Sequence, residues 1–250
     1  MATTGVRSEP PLVVIVGPTA SGKTAVAIEI AKKYGGEIIC ADSRTIYKEM
    51  DIGTAKPDME EQTQVPHWGI DLVSPDERFT VADFKQYALQ KIAEIRARGK
   101  IPILAGGTGL YIDSVLFDFD FDLPEKRKGD WRSDPLTNTI VVGITTEKDI
   151  LRQRITTRAE QLFSNGVVEE ATKLGKKYGW DVPSMTGNIY PIVCAYLENT
   201  LSLKEAVNKF TTQDWRLAKR QMTWFRPNPF IEWCDLSEVE AYINSYLASE

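Results

Sequence analysis

The stretch Leu12-Val13-Val14-Ile15-Val16-Gly17-Pro18-Thr19-Ala20-Ser21-Gly22-Lys23-Thr24 decides the fold. A run of apolar, mostly β-branched residues suits a strand buried on both faces of a parallel sheet, and Gly17 ends it. Gly17 to Thr24 fit the pattern G-x-x-x-x-G-K-[ST]. They stand between that strand and a stretch of helical period, Lys23 to Tyr34, with Ala27, Ile28, Ala31 and Tyr34 on related faces. This is the context the motif's mechanism requires. The glycines let backbone N–H groups converge on phosphate oxygens, and the helix N-terminus adds positive partial charge. Lys23 supplies a full charge, and the Thr24 hydroxyl can ligate Mg²⁺. A chance turn with the same letters would lack the flanking strand and helix.

Outward from this segment, short strands are expected at Glu37–Ala41, Ile101–Ala105 and Thr139–Ile144. Helices are expected at Thr80–Arg98, over Asp149–Lys177 with a break near Gly166, and at Leu203–Phe225. Pro227 to Trp233 leads into a last short strand. Strands alternating with helices imply an α/β fold with a parallel sheet. The expected architecture is a P-loop NTPase-like sheet flanked by helices, with a helical C-terminal part, in a single domain over 1–250. Residues 117–138 carry Asp118, Asp120, Asp122, Pro124, the basic cluster Lys126-Arg127-Lys128, Gly129 and Pro135. They read as a surface connection.

Composition narrows the class. Hydrophobic content of 42% and charged content of 26% are globular values and exclude a disordered or fibrous chain. Cys40, Cys194 and Cys234 are far apart, so neither a disulfide framework nor a zinc finger is expected. His67, the single histidine, excludes a multi-histidine metal site. No apolar run is long enough to span a membrane, and the polar N-terminus does not read as a signal peptide. A cytoplasmic location is therefore expected. The net charge of −5 is uneven: −6 over 1–125 and +6 over 126–226. The basic half suits a polyanionic partner, and a solvated helical surface accounts for it as well.

A hydrolytic NTPase needs an acid at the end of a second strand to hold Mg²⁺. The third strand runs into Gly106-Gly107-Thr108, without an acid, whereas the second ends at Asp42. Asp42 thus stands at a strand's carboxyl end, where open α/β sheets bind ligands. It is a candidate Mg²⁺ ligand, a candidate base, or a cap of the following turn. Arg154 and Arg158, four apart on a helix with Arg152 nearby, share a face and can clamp an anion, or can form a solvated basic face.

The combination of GPTASGKT (Gly17–Thr24), DSRTIY (Asp42–Tyr47) and MDIGTAKP (Met50–Pro57) resembles the tRNA dimethylallyltransferases. So do Pro66-His67, Ala82-Asp83-Phe84, GGTGLY (Gly106–Tyr111), LRQRITTR (Leu151–Arg158) and AKRQMTWFR (Ala218–Arg226). The resemblance implies transfer of a dimethylallyl group from dimethylallyl diphosphate to N6 of the adenine beside the anticodon of tRNA. It implies that Gly17, Pro18, Thr19, Ala20, Ser21, Gly22, Lys23 and Thr24 bind the diphosphate, with Mg²⁺ as cofactor and Thr24 as its ligand. Asp42, Thr108 and Arg158 would be catalytic. Asp42, Ser43, Arg44, Thr45, Lys219 and Arg220 would contact the tRNA, and the enzyme would act as a monomer.

Two departures from the family's pattern bear on RNA recognition rather than on donor binding. The family carries a helical insert after GGTGLY that grips the anticodon stem-loop, and residues 117–138 are too few for it. A cation and an amide of the family are replaced around Tyr190 by Ile189-Tyr190-Pro191-Ile192. Lys126, Arg127, Lys128, Arg216, Lys219, Arg220 and Arg226 would then carry the RNA contact. Trp215, Trp224 and Phe225 read as core at helical spacing, with base stacking as the alternative. His67 reads as a hydrogen-bonded structural residue and Cys40 as packed. Three other readings remain: an adenylate isopentenyltransferase acting on free nucleotides, a small-molecule P-loop kinase, and an inactive tRNA-binding remnant.

Overall fold

The computed structural model describes residues 9–119, 121, 134–187 and 189–248. Its strands are β1 (Leu12–Val16), β2 (Glu37–Cys40), β3 (His67–Trp68), β4 (Pro102–Gly106), β5 (Thr139–Thr145) and β6 (Glu232–Asp235). They form one sheet in the order β3-β2-β4-β1-β5-β6, and every neighbouring pair is parallel. The helices are α1 (Lys23–Tyr34), α2 (Met59–Gln64), α3 (Val81–Ala97), α4 (Gly109–Leu116), α5 (Lys148–Ser164), α6 (Val167–Tyr178), α7 (Tyr190–Leu197), α8 (Leu203–Phe225) and α9 (Val239–Leu247). The chain runs from β1 outward to β2 and β3, returns to β4 beside β1, and then crosses to β5 on the other side. The carboxyl end of β1 therefore faces the crevice where such sheets hold ligands.

Successive residues of β1 feed opposite cores, as the two-residue period of a strand requires. Leu12, Val14 and Val16 join Ile39, Leu104, Phe84, Ile92 and Val115. Val13 and Ile15 join Ile38, Ile103, Val142, Ala27 and Ile30. Both faces are covered, which is why the strand is apolar at every position. A third cluster, with Met50, Leu162, Val167, Leu174, Tyr190, Ile192 and Phe210, binds α5 to α8 into a helical layer. That layer is the helical C-terminal part expected from the sequence, and α8 spans Leu203–Phe225 as read.

The differences are local. The helix at 81–97 begins one residue after Thr80, which is its N-cap in a capping box with Asp83. The break near Gly166 separates α5 from α6, with Gly166 left-handed at φ 97. α2, α4, α7, α9 and β3 add to the elements expected from the sequence. Within GGTGLY, α4 starts at Gly109, where a Cβ would lie 2.3 Å from Trp224 Cδ1. Phe225 is core, while Trp224 is 38% exposed and Trp215 is only half-buried. Lys126, Arg127 and Lys128 lie outside the described residues.

Asp113, on α4, is fully buried; its Oδ2 accepts from Trp224 Nε1 at 2.8 Å. Its Oδ1 has no hydrogen-bond partner among the described residues. Burial raises its pKa from 3.8 to about 7, against the opposing pull of the Trp224 N–H. The folded state thus holds a proton that the unfolded chain has already released between those values. Stability therefore falls as pH rises from about 4 through about 7 and then levels. Asp113→Asn is expected to raise the urea midpoint at pH 8 more than at pH 5. Equal shifts at the two pH values would contradict a carboxyl held protonated.

Candidate active site

The loop after β1 needs unusual backbone angles. Gly22 is left-handed at φ 96 and caps α1, Ala20 stands at φ 61, and Gly17 is at φ 155. A Cβ on Gly17 would meet Ser21 Oγ at 3.1 Å and the Ile144 carbonyl at 3.3 Å. Lys23 Nζ donates to the Pro18 carbonyl at 2.6 Å, which curls the loop around its own lysine. Other elements hold the loop from outside. The Thr19 N–H donates to Gln221 Oε1 at 2.7 Å, Arg154 to the Ser21 carbonyl at 3.3 Å, and Arg158 to Thr19 Oγ1 at 2.5 Å. The four-residue spacing thus brings Arg154 and Arg158 to one target. Arg152 lies instead over the Trp215 ring, 4.7 Å from its centre.

This pocket is built for an anion. Arg158 Nε and Ser21 Oγ are buried without a hydrogen-bond partner among the described residues. Lys23 has its pKa lowered to about 8, first by burial, against the attraction of Asp42, and then by Arg158. An ammonium so placed gains from any incoming negative charge.

The pairing of β2 with β4 brings the second half of the site together. Asp42 follows β2 and Thr108 follows β4. The Thr108 N–H donates to the Ala41 carbonyl at 3.2 Å, and the Ser43 N–H to Thr108 Oγ1 at 3.0 Å. Only glycine permits the approach, since a Cβ on Gly106 would lie 2.1 Å from the Ala41 carbonyl oxygen. Asp42 Oδ1 accepts the Arg44 N–H at 2.8 Å, so Asp42 does cap the next turn. The same side chain lines a cleft of about 1290 Å³ shared with Lys23, Thr24, Thr108, Arg158 and Arg220. Arg44 reaches the Ser184 carbonyl at 3.5 Å, and Thr45 is buried with its hydroxyl 3.5 Å from the Asp42 carbonyl. Lys219 is set apart from Arg220, its ammonium lying 5.9 Å from the centre of the Trp215 ring.

Two residues that no local sequence pattern singles out also shape the cleft. Gln221 bridges the two lips of the cleft: its Oε1 accepts from Thr19 N, and its Nε2 donates to the Gly107 carbonyl at 3.1 Å. Glu170, on α6, holds the Met50–Pro57 block that forms the far wall. It accepts from the N–H groups of Asp51, Ile52 and Gly53 at 2.7–2.8 Å and from Tyr190 OH at 3.0 Å. On the same wall Lys56 is paired with Asp51 and Asp71, both at 2.6 Å. Nothing in the spacing of α6 marks one glutamate among its charges as the anchor of a distant loop. His67 Nδ1 donates to the Val65 carbonyl at 2.9 Å, and Cys40 is buried with its thiol pushed up to about 12 by burial. Both are structural.

Comparison with known proteins agrees with this geometry. The family model described as IPP transferase matches residues 45–135 and 125–228. The chain belongs to the IPP transferase family. Among its relatives is a tRNA dimethylallyltransferase of Acetivibrio thermocellus, 38% identical over 92% of this chain and 93% of that one. Another, of Bacillus pumilus, is 35% identical over 98% and 97%. The solved tRNA isopentenylpyrophosphate transferase of Bacillus halodurans superposes with a TM-score of 0.85 at 32% identity, covering 96% of each chain. The alignment with the Acetivibrio relative runs over 291 residues while taking in 92% of this 250-residue chain, so that relative holds residues this chain lacks. The two family matches meet within the connection at 117–138. Among the described residues no group of three or more His, Cys, Asp or Glu forms a metal site, and no helix is long and apolar enough to cross a membrane.

Glu170→Ala leaves three adjacent backbone donors and a tyrosine hydroxyl without their acceptor. A loss of about 1–3 kcal/mol is the usual consequence of unpairing such groups. Amide exchange at residues 51–53 is expected to quicken selectively. Unchanged protection there would show that the block is held by Lys56 alone.

Proposed function

We propose that the chain is a tRNA dimethylallyltransferase: it moves a dimethylallyl group from dimethylallyl diphosphate to N6 of an adenine in tRNA and releases diphosphate. The observation that carries this reading is the meeting of a phosphate loop and a carboxylate in one cleft, with the loop after β1 and the carboxylate after β2, on the far side of β4. The loop takes the leaving diphosphate, and Lys23 and Arg158 neutralise the charge that grows on its oxygens as the C–O bond breaks. The adenine amine is a weak nucleophile, because its lone pair is delocalised into the ring. Asp42 accepts its proton as the C–N bond forms. One Asp42 oxygen is fixed by the Arg44 N–H, which aims the carboxylate. Thr108, bonded to Ser43, sets the floor beside it.

Mg²⁺ fits the donor set: Thr24 is exposed at the head of α1 in the same cleft, and this cation is usually held by one or two protein oxygens plus substrate phosphates. When bound it supplies further neutralisation of the diphosphate. The acceptor is the adenine beside the anticodon, reached through Ser43, Arg44 and Arg220, in a monomeric cytoplasmic enzyme. The names of the relatives favour tRNA over free nucleotides as acceptor, and prenyl transfer over a kinase reaction. Incubation with dimethylallyl diphosphate and either tRNA or AMP, followed by nucleoside mass analysis, tests it. Prenylated adenosine only from AMP would overturn the tRNA reading.

Asp42→Ala is expected to lower kcat by about 10²–10⁴-fold with donor affinity nearly unchanged. Lys23→Ala and Arg158→Ala should weaken diphosphate binding and slow transfer still more. Wild-type turnover in Asp42→Ala would reduce Asp42 to a cap. The short connection at 117–138 should also leave fewer phosphates neutralised than in the longer relatives. The log K against log[salt] slope for tRNA binding should then be shallower, with an isolated anticodon stem-loop bound almost as well as whole tRNA. A slope as steep as that of the longer Acetivibrio enzyme would refute this.

A further inference from the structure

Within the cradle that receives the diphosphate stands a second carboxylate. Asp214, on α8, is only 3% exposed. Its Oδ2 accepts from Thr19 Oγ1 at 3.5 Å, and the same hydroxyl accepts from Arg158. Thr19 is thus a relay between a cation and an anion, and it belongs to the phosphate loop itself. The charged groups facing Asp214 are Arg158 from α5, Lys23 from the head of α1 and Asp42 from the end of β2. From α8, Arg220 and Gln221 line the same cleft. Immediately around Asp214, Arg158 and Lys23 offset Asp214 and Asp42, with Arg154 and Arg220 further along the cleft wall. An incoming diphosphate upsets that balance, because it brings negative charge to within one side chain of a buried anion, where screening is weak.

Resting on the reading of the loop as a diphosphate site, we propose that Asp214 takes up a proton when the diphosphate enters, so that donor affinity is set by pH through this residue. Protonation removes the repulsion. It also reverses the hydrogen bond: the carboxyl O–H donates to Thr19 Oγ1, and the threonine hydrogen is released to a phosphate oxygen. The free site is already inclined this way, since burial holds the Asp214 carboxyl above its usual range against the attraction of Arg158, the Thr19 bond and Lys23. Diphosphate raises it further. Between the free and bound values the complex holds a proton that the free protein does not. Affinity therefore falls about tenfold per pH unit across that window and is flat on either side.

The test is calorimetric titration of inorganic pyrophosphate, without Mg²⁺, in buffers of different ionisation heat between about pH 5 and 7, where Lys23 keeps most of its proton. The wild type is expected to take up more protons than Asp214→Asn, by up to about one, with the ligand's own protons cancelling in the difference. Asp214→Asn should bind about tenfold more tightly at the upper end and less steeply with pH. Asp214→Ser serves if the asparagine variant does not fold. Equal proton uptake in wild type and variant overturns the inference and leaves the diphosphate reading standing. Weaker binding in both variants with unchanged uptake would make Asp214 a support for Thr19 only, and also overturns it. A repeat with Mg²⁺ in which the wild type, but not the variant, needs the ion would mean that the carboxylate holds a cation instead. No pyrophosphate binding by any of the proteins at any pH refutes the diphosphate site, and this inference with it.

Discussion

One side-chain amide ties the two halves of the cleft together. Gln221 accepts from the phosphate loop through Thr19 N and donates to the Gly107 carbonyl on the turn that carries Thr108. A buried amide satisfied at both ends fixes the separation of the lips it joins, because moving either leaves a polar group unpaired. Gly107 makes room for it: a Cβ there would lie 2.3 Å from Gln221 Nε2. The site is therefore a property of α8 as much as of the sheet. The helix that supplies Gln221 also supplies Asp214 and Arg220.

What the sequence makes legible follows from the range of each signal. The phosphate loop and β1 are local, with strand period, glycines and helix period in one short stretch. α8 is legible because Ser202 and Glu205 form a capping box before a sustained apolar stripe. β3 pairs only His67 and Trp68 with β2, too few residues to show an alternation. α4 was hidden by the glycines that precede it, which are there for close approach to Ala41, Gln221 and Trp224 rather than for a turn. Glu170 and Asp214 sit among charges on helices that read as solvated faces. Only the tertiary fold shows that one anchors three backbone amides and the other lies buried against Thr19.

Electrostatics orders the chemistry of the cleft. In the proposed transfer, cations gather at the loop, where negative charge grows as the leaving group departs. Asp42, the proposed proton acceptor, follows β2, on the far side of β4 from the loop and across the Ala41–Thr108 contact.

The central claim is that this loop serves a prenyl diphosphate. Thermal unfolding with dimethylallyl diphosphate and Mg²⁺, set against ATP and Mg²⁺ at equal concentration, tests it most directly, because a ligand raises the midpoint only as far as it prefers the folded state. The account predicts a clear rise with dimethylallyl diphosphate that is lost in Lys23→Ala, and a smaller rise with ATP. Stabilisation by ATP alone would contradict it.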